Sequence, residues 1–263
     1  MIIAGGQGLL PLLKHRQVTP QYVITIKHFP SLDYIDNGNG SINIGALTTN
    51  RAIELSSLIK NRLPILAELE QVLGDVQTRN WGTIVGNLCA ASPTSDPAPA
   101  LIALGARVKA VSVKGERVIP LDEFFTDYMK TALAPDEIVT ELQVPNLPPH
   151  SGAAYHKERV RVTDSPIASV AAVISLNAGL DIITAVRIVL QAVGPTPIRA
   201  RGTEKILTGN KLRDELLKEA ATIAATEARP ITDVYGSAEY KREMVKVVAR
   251  QVIPQAIKRA KAV

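Results

Sequence analysis

Glycine stands at chemically telling positions in the first residues of the chain. A short apolar run, Met1 to Ala4, reads as a strand that ends in Gly5-Gly6-Gln7-Gly8 and opens into a helix-permissive stretch, Leu9 to Lys14. A strand-to-turn-to-helix junction of this kind exposes several backbone N–H groups with no side chain in the way. Those groups and the helix dipole suit a phosphate or pyrophosphate. The spacing departs from the Rossmann dinucleotide fingerprint. Gly6 and Gly8 give a G-x-G, but Pro11 stands where the third glycine belongs, and Ile26 is followed by Lys27 and His28 instead of an acidic residue. There is no Walker lysine. On spacing alone, a plain tight turn is the favoured reading and an anion site the alternative.

A second stretch, Asn80-Trp81-Gly82-Thr83-Ile84-Val85-Gly86-Asn87 continuing to Ala91-Ser92-Pro93-Thr94-Ser95-Asp96, is dense in small, hydroxyl and amide residues. It can offer N–H and O–H donors to phosphate oxygens, while Asp96 can accept from a ribose or a ring nitrogen. A surface loop with Asp96-Pro97 capping the next helix explains the same residues equally well.

Other catalytic constellations are missing. The four histidines, His15, His28, His150 and His156, lack metal-ligand spacing and read as surface residues. Cys89 reads as a small buried side chain, and Ser92 and Ser165 lack a nucleophile elbow. No catalytic residue and no metal site is expected.

The elements that must position these residues follow from local pattern. A β-branched strand spans Tyr22 to Ile26, and a turn over 36–40 leads into alternating Ser41 to Gly45. Thr49 caps a helix from Asn50 to Leu58, and a second helix runs from Ile65 to Leu73. After a loop at 77–97 come a small helix, Ala98 to Leu104, a hairpin of Val108–Val113 with Arg117–Pro120, and a strand from Ile138 to Val144. Residues 146–152 form the boundary between two domains. Beyond it, strands are expected over Ile167–Leu176 and Ile182–Val193, then helices over Asp214–Ala228 and Ala238–Lys261. Strands followed by helices within each half predict an α+β architecture.

Composition narrows the function class. The chain has 263 residues, 46% hydrophobic and 21% charged, which excludes disorder and allows two domains with cores of their own. A net charge of +5 spread along the chain, with 4% aromatics, argues against nucleic acid. The basic final helix reads as a solvated face. No stretch approaches the ~18 apolar residues of a membrane span. The start lacks the basic and apolar regions of a signal peptide, so a cytoplasmic setting is expected. A single cysteine excludes an internal disulfide, and an iron–sulfur cluster cannot be built from this chain alone.

Taken in order, these segments resemble the flavoprotein (medium) subunits of carbon monoxide dehydrogenase-like and xanthine dehydrogenase-like molybdenum hydroxylases. Ala4 to Lys14 resembles the family's first flavin pyrophosphate motif, Val76 to Asn87 its second, and Ala91 to Asp96 the run that follows in xanthine dehydrogenases. Phe124 to Thr131 with Asp136 to Val139, Tyr155-His156-Lys157, Gly194-Pro195-Thr196-Pro197 and Gly236 to Lys241 are similar to further shared stretches. The resemblance covers nearly the whole chain.

It implies a vanillyl-alcohol-oxidase (PCMH)-type FAD-binding domain at 1–147; members carry a strand and helix before the first motif, so either the start codon is misassigned or the N-terminal subdomain is truncated. A smaller α+β C-terminal domain of antiparallel sheet plus helices would span 151–263. The resemblance implies FAD held by Ile3, Ala4, Gly5, Gly6, Gln7, Gly8 and Leu9, with Thr83, Gly86 and Asn87 from the second loop. It also implies Asp96 at the flavin nucleotide, Val139 close to it and Lys157 near the isoalloxazine, where a positive charge stabilises reduced flavin. Partner chains would be an iron–sulfur small subunit with [2Fe-2S] clusters and a molybdopterin large subunit, in a heterotrimer or its dimer. The flavin would pass electrons to NAD, a quinone, a ferredoxin or oxygen. Two departures concern the flavin directly: Val85 stands where the family has glycine, and Gly8 where serine is common. The cluster-bearing loop of 4-hydroxybenzoyl-CoA reductase flavoproteins needs several cysteines and is not expected. The alternatives are a stand-alone FAD oxidoreductase, or a scaffold subunit that no longer holds FAD.

Overall fold

The computed structural model describes residues 1–262 and divides them into two compact units. The first comprises residues 1–92 and 105–146; the second comprises residues 93–104 together with the chain from Leu147 onward.

The first unit is built on a five-stranded antiparallel sheet. Its strands, in spatial order, are Ile35–Asn37, Ser41–Gly45, Ile138–Pro145, Arg107–Ser112 and Gly115–Pro120. The alternation in Ser41-Ile42-Asn43-Ile44 becomes burial of Ile42 and Ile44; the neighbouring strand buries Leu142 and Val144 by the same alternation and Val139 on the far side of a register shift at Thr140. Around this sheet lie five short helices, Asn50–Leu55, Ser57–Arg62, Pro64–Val72, Val76–Trp81 and Ile84–Ala90, which bury Ile53, Ile59, Leu66, Leu69 and Leu88.

Two expectations fail here for local reasons. The helix expected to run to Leu58 stops at Leu55, because Ser56 leaves helical geometry (φ −59°, ψ 123°) and caps a new helix, its Oγ accepting from the Ile59 N–H at 3.3 Å. The expected loop at 77–97 contains two helices. Asp75 caps one, accepting from the Thr78 N–H at 2.6 Å, and Thr83 caps the other. Each is too short to show an apolar period, so capping residues were the only signal. The strand expected over Tyr22–Ile26 is reduced to Ile24–Thr25, paired in parallel with Ile2–Ile3.

The second unit is a four-stranded antiparallel sheet, Ser151–Glu158, Ala168–Leu176, Ile183–Gln191 and Ile198–Arg199 in order. The helices Pro97–Leu104, Arg201–Leu207, Asp214–Glu227 and Ala238–Ala260 complete it. All eight residues of Pro97–Leu104 are buried, as an all-round apolar helix requires. The long final helix lies close on the first strand: a Cβ at Gly152 would fall 2.1 Å from the Ala256 carbonyl oxygen, so only glycine permits this approach. Small residues on the sheet, Ala154, Ala168 and Ala172, share one core with Val248, Val252, Ala256 and Ala260 of that helix. Among the described residues, no helix is long and apolar enough to cross a membrane.

Candidate functional site

The two glycine-rich stretches of the first unit meet. Strand Ile2–Ile3 ends at Ala4, the chain turns through Gly5 to Gly8, and a helix runs from Leu9 to Lys14. Gly6 takes φ +77°, a left-handed conformation that a side chain disfavours, and its carbonyl accepts from the Leu10 N–H at 2.8 Å. Among the described residues, none accepts a hydrogen bond from the N–H groups of Ala4 through Gly8. Gly5 lies directly on the second stretch: a Cβ there would fall 1.9 Å from the Trp81 carbonyl oxygen and 2.8 Å from Gly82 Cα. Gly8 faces Ala90, with 3.4 Å available to a Cβ.

Thr83 caps the helix of the second stretch, its Oγ1 accepting from the Gly86 N–H at 3.0 Å. Gly86 is exposed and Asn87 half-buried, while Thr83 is 5% exposed. Val85, the departure from family pattern, is buried beside Ile84 and Leu88, so its side chain is directed into the core instead of lining the loop surface. Gly8, the other departure, is exposed, and a serine would fit there at ordinary contact distance. Cys89 corrects the sequence reading: the helix buries Ile84, Val85 and Leu88 and turns Cys89 outward, where it is exposed. His15, His28 and His156 are exposed and His150 is half-buried.

Behind this junction stands an ion pair that sequence reasoning did not find. Arg79, 8% exposed, donates from Nε to Glu54 Oε2 at 3.0 Å and from Nη1 to the Leu73 carbonyl at 2.9 Å. Burial works against ionisation of Glu54, but the hydrogen bond from Arg51 and the charges of Arg79 and Arg51 hold its carboxyl below the ordinary value. The pair ties the Val76–Trp81 helix to the Asn50–Leu55 helix. Arg79 lies within the second motif and is the buried residue of its helix, whose neighbours Gln77, Thr78 and Asn80 gave no local signal of burial.

In the second unit, Asp96, Tyr155 and Lys157 form one cluster. Lys157 Nζ donates to Asp96 Oδ2 at 2.7 Å, and the Tyr155 hydroxyl donates to Asp96 Oδ1 at 2.7 Å. The Lys157 and Asp96 side chains are 2% and 8% exposed. Burial raises the Asp96 carboxyl above its ordinary value, opposed by the charge and hydrogen bond of Lys157 and the hydrogen bond from Tyr155. Burial, then the Asp96 charge, pushes the Tyr155 hydroxyl well above its ordinary value. Sequence reading treated Asp96 and Lys157 as separate contributors and gave Tyr155 no partner; the structure joins all three. Val139 lies opposite Ala110 in the five-stranded sheet and is 3% exposed, a core residue of the first unit.

A flavin-type glycine junction on a mixed α+β first unit, followed by an antiparallel sheet backed by helices, defines a class of FAD-binding chain. The chain belongs to the FAD-binding medium subunits of the molybdopterin dehydrogenase family, an oxidoreductase family. Residues 1–147 match the FAD binding domain in molybdopterin dehydrogenase, and residues 153–256 match the CO dehydrogenase flavoprotein C-terminal domain. The chain is 35% identical over 260 residues to the 6-hydroxypseudooxynicotine dehydrogenase complex subunit alpha of Paenarthrobacter nicotinovorans, covering 99% of this chain and 88% of that one. It is 34% identical to the glyceraldehyde dehydrogenase medium chain of Sulfolobus acidocaldarius, over 96% of this chain and 89% of the relative. Carbon monoxide dehydrogenase from Hydrogenophaga pseudoflava superposes with a TM-score of 0.95 at 32% identity, covering 98% of this chain and 90% of that one.

Proposed function

We propose that the chain holds FAD between its two glycine motifs and serves as the electron-transfer subunit of a molybdenum hydroxylase complex. In this reading the backbone of Ile3, Ala4, Gly5, Gly6, Gln7 and Gly8, with Leu9 beside it, binds the pyrophosphate. Thr83, Gly86 and Asn87 contact it from the second loop, Val139 lies near the cofactor, and Asp96 and Lys157 serve the flavin end. Residues 1–147 act as the FAD-binding domain and 151–263 as the C-terminal domain.

The observation that carries the proposal is the packing of Gly5 on Trp81 and Gly82, which sets an uncommitted row of N–H groups beside a Thr83-capped loop. That donor set is what a pyrophosphate requires. Val85, buried in the core, leaves the loop surface free of its bulk.

When bound, FAD supplies one- and two-electron redox chemistry, while the protein supplies binding, orientation and electrostatics. In this proposal an iron–sulfur small subunit and a molybdopterin large subunit complete a heterotrimer, and the complex works in the cytoplasm. Relatives described as medium chains and as subunits of dehydrogenase complexes support that assembly.

The test is the visible spectrum and released cofactor of the chain, purified alone and after co-expression with its neighbouring genes. Stoichiometric FAD in either preparation supports the proposal. Colourless protein in both, unrestored by added FAD, sinks it and leaves a scaffold on a flavoprotein fold.

A further inference from the structure

The turn at Thr48, Thr49 and Asn50 anchors the second glycine loop. The Ile84 N–H donates to the Thr48 carbonyl at 3.4 Å, the Asn50 N–H donates to the Gly82 carbonyl at 2.9 Å, and Thr49 and Thr83 form an isolated antiparallel bridge. Asn50 is 2% exposed. A Cβ at Gly82 would lie 3.1 Å from Asn50 Nδ2 and 3.4 Å from Gln7 Cγ. The amide therefore stands where the two glycine loops meet.

Its Oδ1 is buried and accepts no hydrogen bond from any described residue. The polar side chains around it are matched: Gln7 Nε2 donates to the Gly5 carbonyl, and Thr83 Oγ1 accepts from Gly86. A buried acceptor left without a donor is costly, and an aliphatic side chain of the same shape would suit the unliganded fold better. The cost is explained if the amide serves a ligand. Its two terminal atoms are nearly isosteric, so a half-turn brings the oxygen to the Gly82 and Gln7 side without moving backbone.

We infer that Asn50 is a further residue of the flavin site, its amide oxygen accepting from a hydroxyl of the dinucleotide or from a water the dinucleotide holds. The inference rests on the reading of the two loops as the FAD site. Asn50→Leu keeps the branched shape and removes both polar atoms. FAD affinity, read by quenching of flavin fluorescence on titration into apoprotein, falls about tenfold, the size of one hydrogen bond. The urea midpoint of the apoprotein stays level or rises. Unchanged FAD affinity with a lowered apoprotein midpoint assigns Asn50 a purely structural role and overturns the inference. Should Asn50→Leu not fold, Asn50→Ala is read through the rise in thermal midpoint that saturating FAD produces. A rise smaller than in wild type supports the inference, and an equal rise overturns it. Wild-type apoprotein that binds no FAD overturns the flavin reading itself. That result is distinct from a wild type that binds and a variant that binds equally well.

Discussion

Lys157 and Asp96, 61 residues apart in the chain, meet as a buried ion pair with Nζ and Oδ2 separated by 2.7 Å. Tyr155 completes the carboxylate's partners from the same strand, two residues before Lys157. The lysine's ammonium is already paired with the Asp96 carboxylate. It is a positioned donor more than a free positive charge.

Breaking one partner of that pair leaves the other buried and uncompensated, a cost of about 3–5 kcal/mol. Asp96→Asn and Lys157→Met each lower the unfolding free energy read from urea denaturation by that order, and the double variant recovers part of the loss. Additive losses in the double-mutant cycle would show that the two side chains are not coupled.

Acid sensitivity resides in part at Glu137. Arg117 grips it twice, at 2.6 and 2.8 Å, and the Ala134 N–H donates to it at 2.7 Å. The hydrogen bond from Arg117 first, and that from Ala134 next, pull the carboxyl from an ordinary 4.5 to about 2. A depressed carboxylate contributes stability that is fully present above the unfolded value and lost as pH falls through the folded one. The difference in thermal midpoint between wild type and Glu137→Gln is therefore constant near neutrality and shrinks between about pH 4.5 and about pH 2. A difference independent of pH across that window would contradict it.

The glycine junction makes a contrasting pair of predictions. Gly5→Ala drives a Cβ into the Trp81 and Gly82 backbone, with 1.9 Å to the carbonyl oxygen, so the loops must part. The expected cost is about 1–3 kcal/mol together with loss of bound FAD. Gly8→Ser meets only Ala90 Cβ at 3.4 Å and changes stability by no more than about 0.5 kcal/mol. Differential scanning fluorimetry and the flavin-to-protein absorbance ratio check both.

Arg79→Met removes the buried partner of Glu54 and the bond to the Leu73 carbonyl. Arg51 still contacts Glu54 at 2.7 Å, so the loss falls at the lower end for a buried pair, about 3 kcal/mol. FAD retention falls with it, because the Val76–Trp81 helix carries the carbonyl on which Gly5 rests. Chemical denaturation and cofactor content are measured on the same sample; stability lost with cofactor retained would separate Arg79 from the site.

Much was legible because it is local. The glycine turn and its following helix, the Lys114-Gly115 hairpin, the Thr49 cap and the alternation of Ser41 to Gly45 all arise within a few residues, where backbone freedom, capping and side-chain period act. The order of the motifs along the chain was enough to carry the family resemblance.

Other features exist only through partners distant in sequence. Ser151–Glu158 has little β propensity of its own; it is a strand because it pairs along its length with Ala168–Leu176, and because Gly152 lets the final helix approach. The buried Pro97–Leu104 helix packs with the second sheet although it precedes three strands of the first. Local pattern states which residues are apolar or polar, whereas the burial that makes Asp96 need both Lys157 and Tyr155, and that leaves Asn50 Oδ1 without a donor, arises only when separate elements exclude water together.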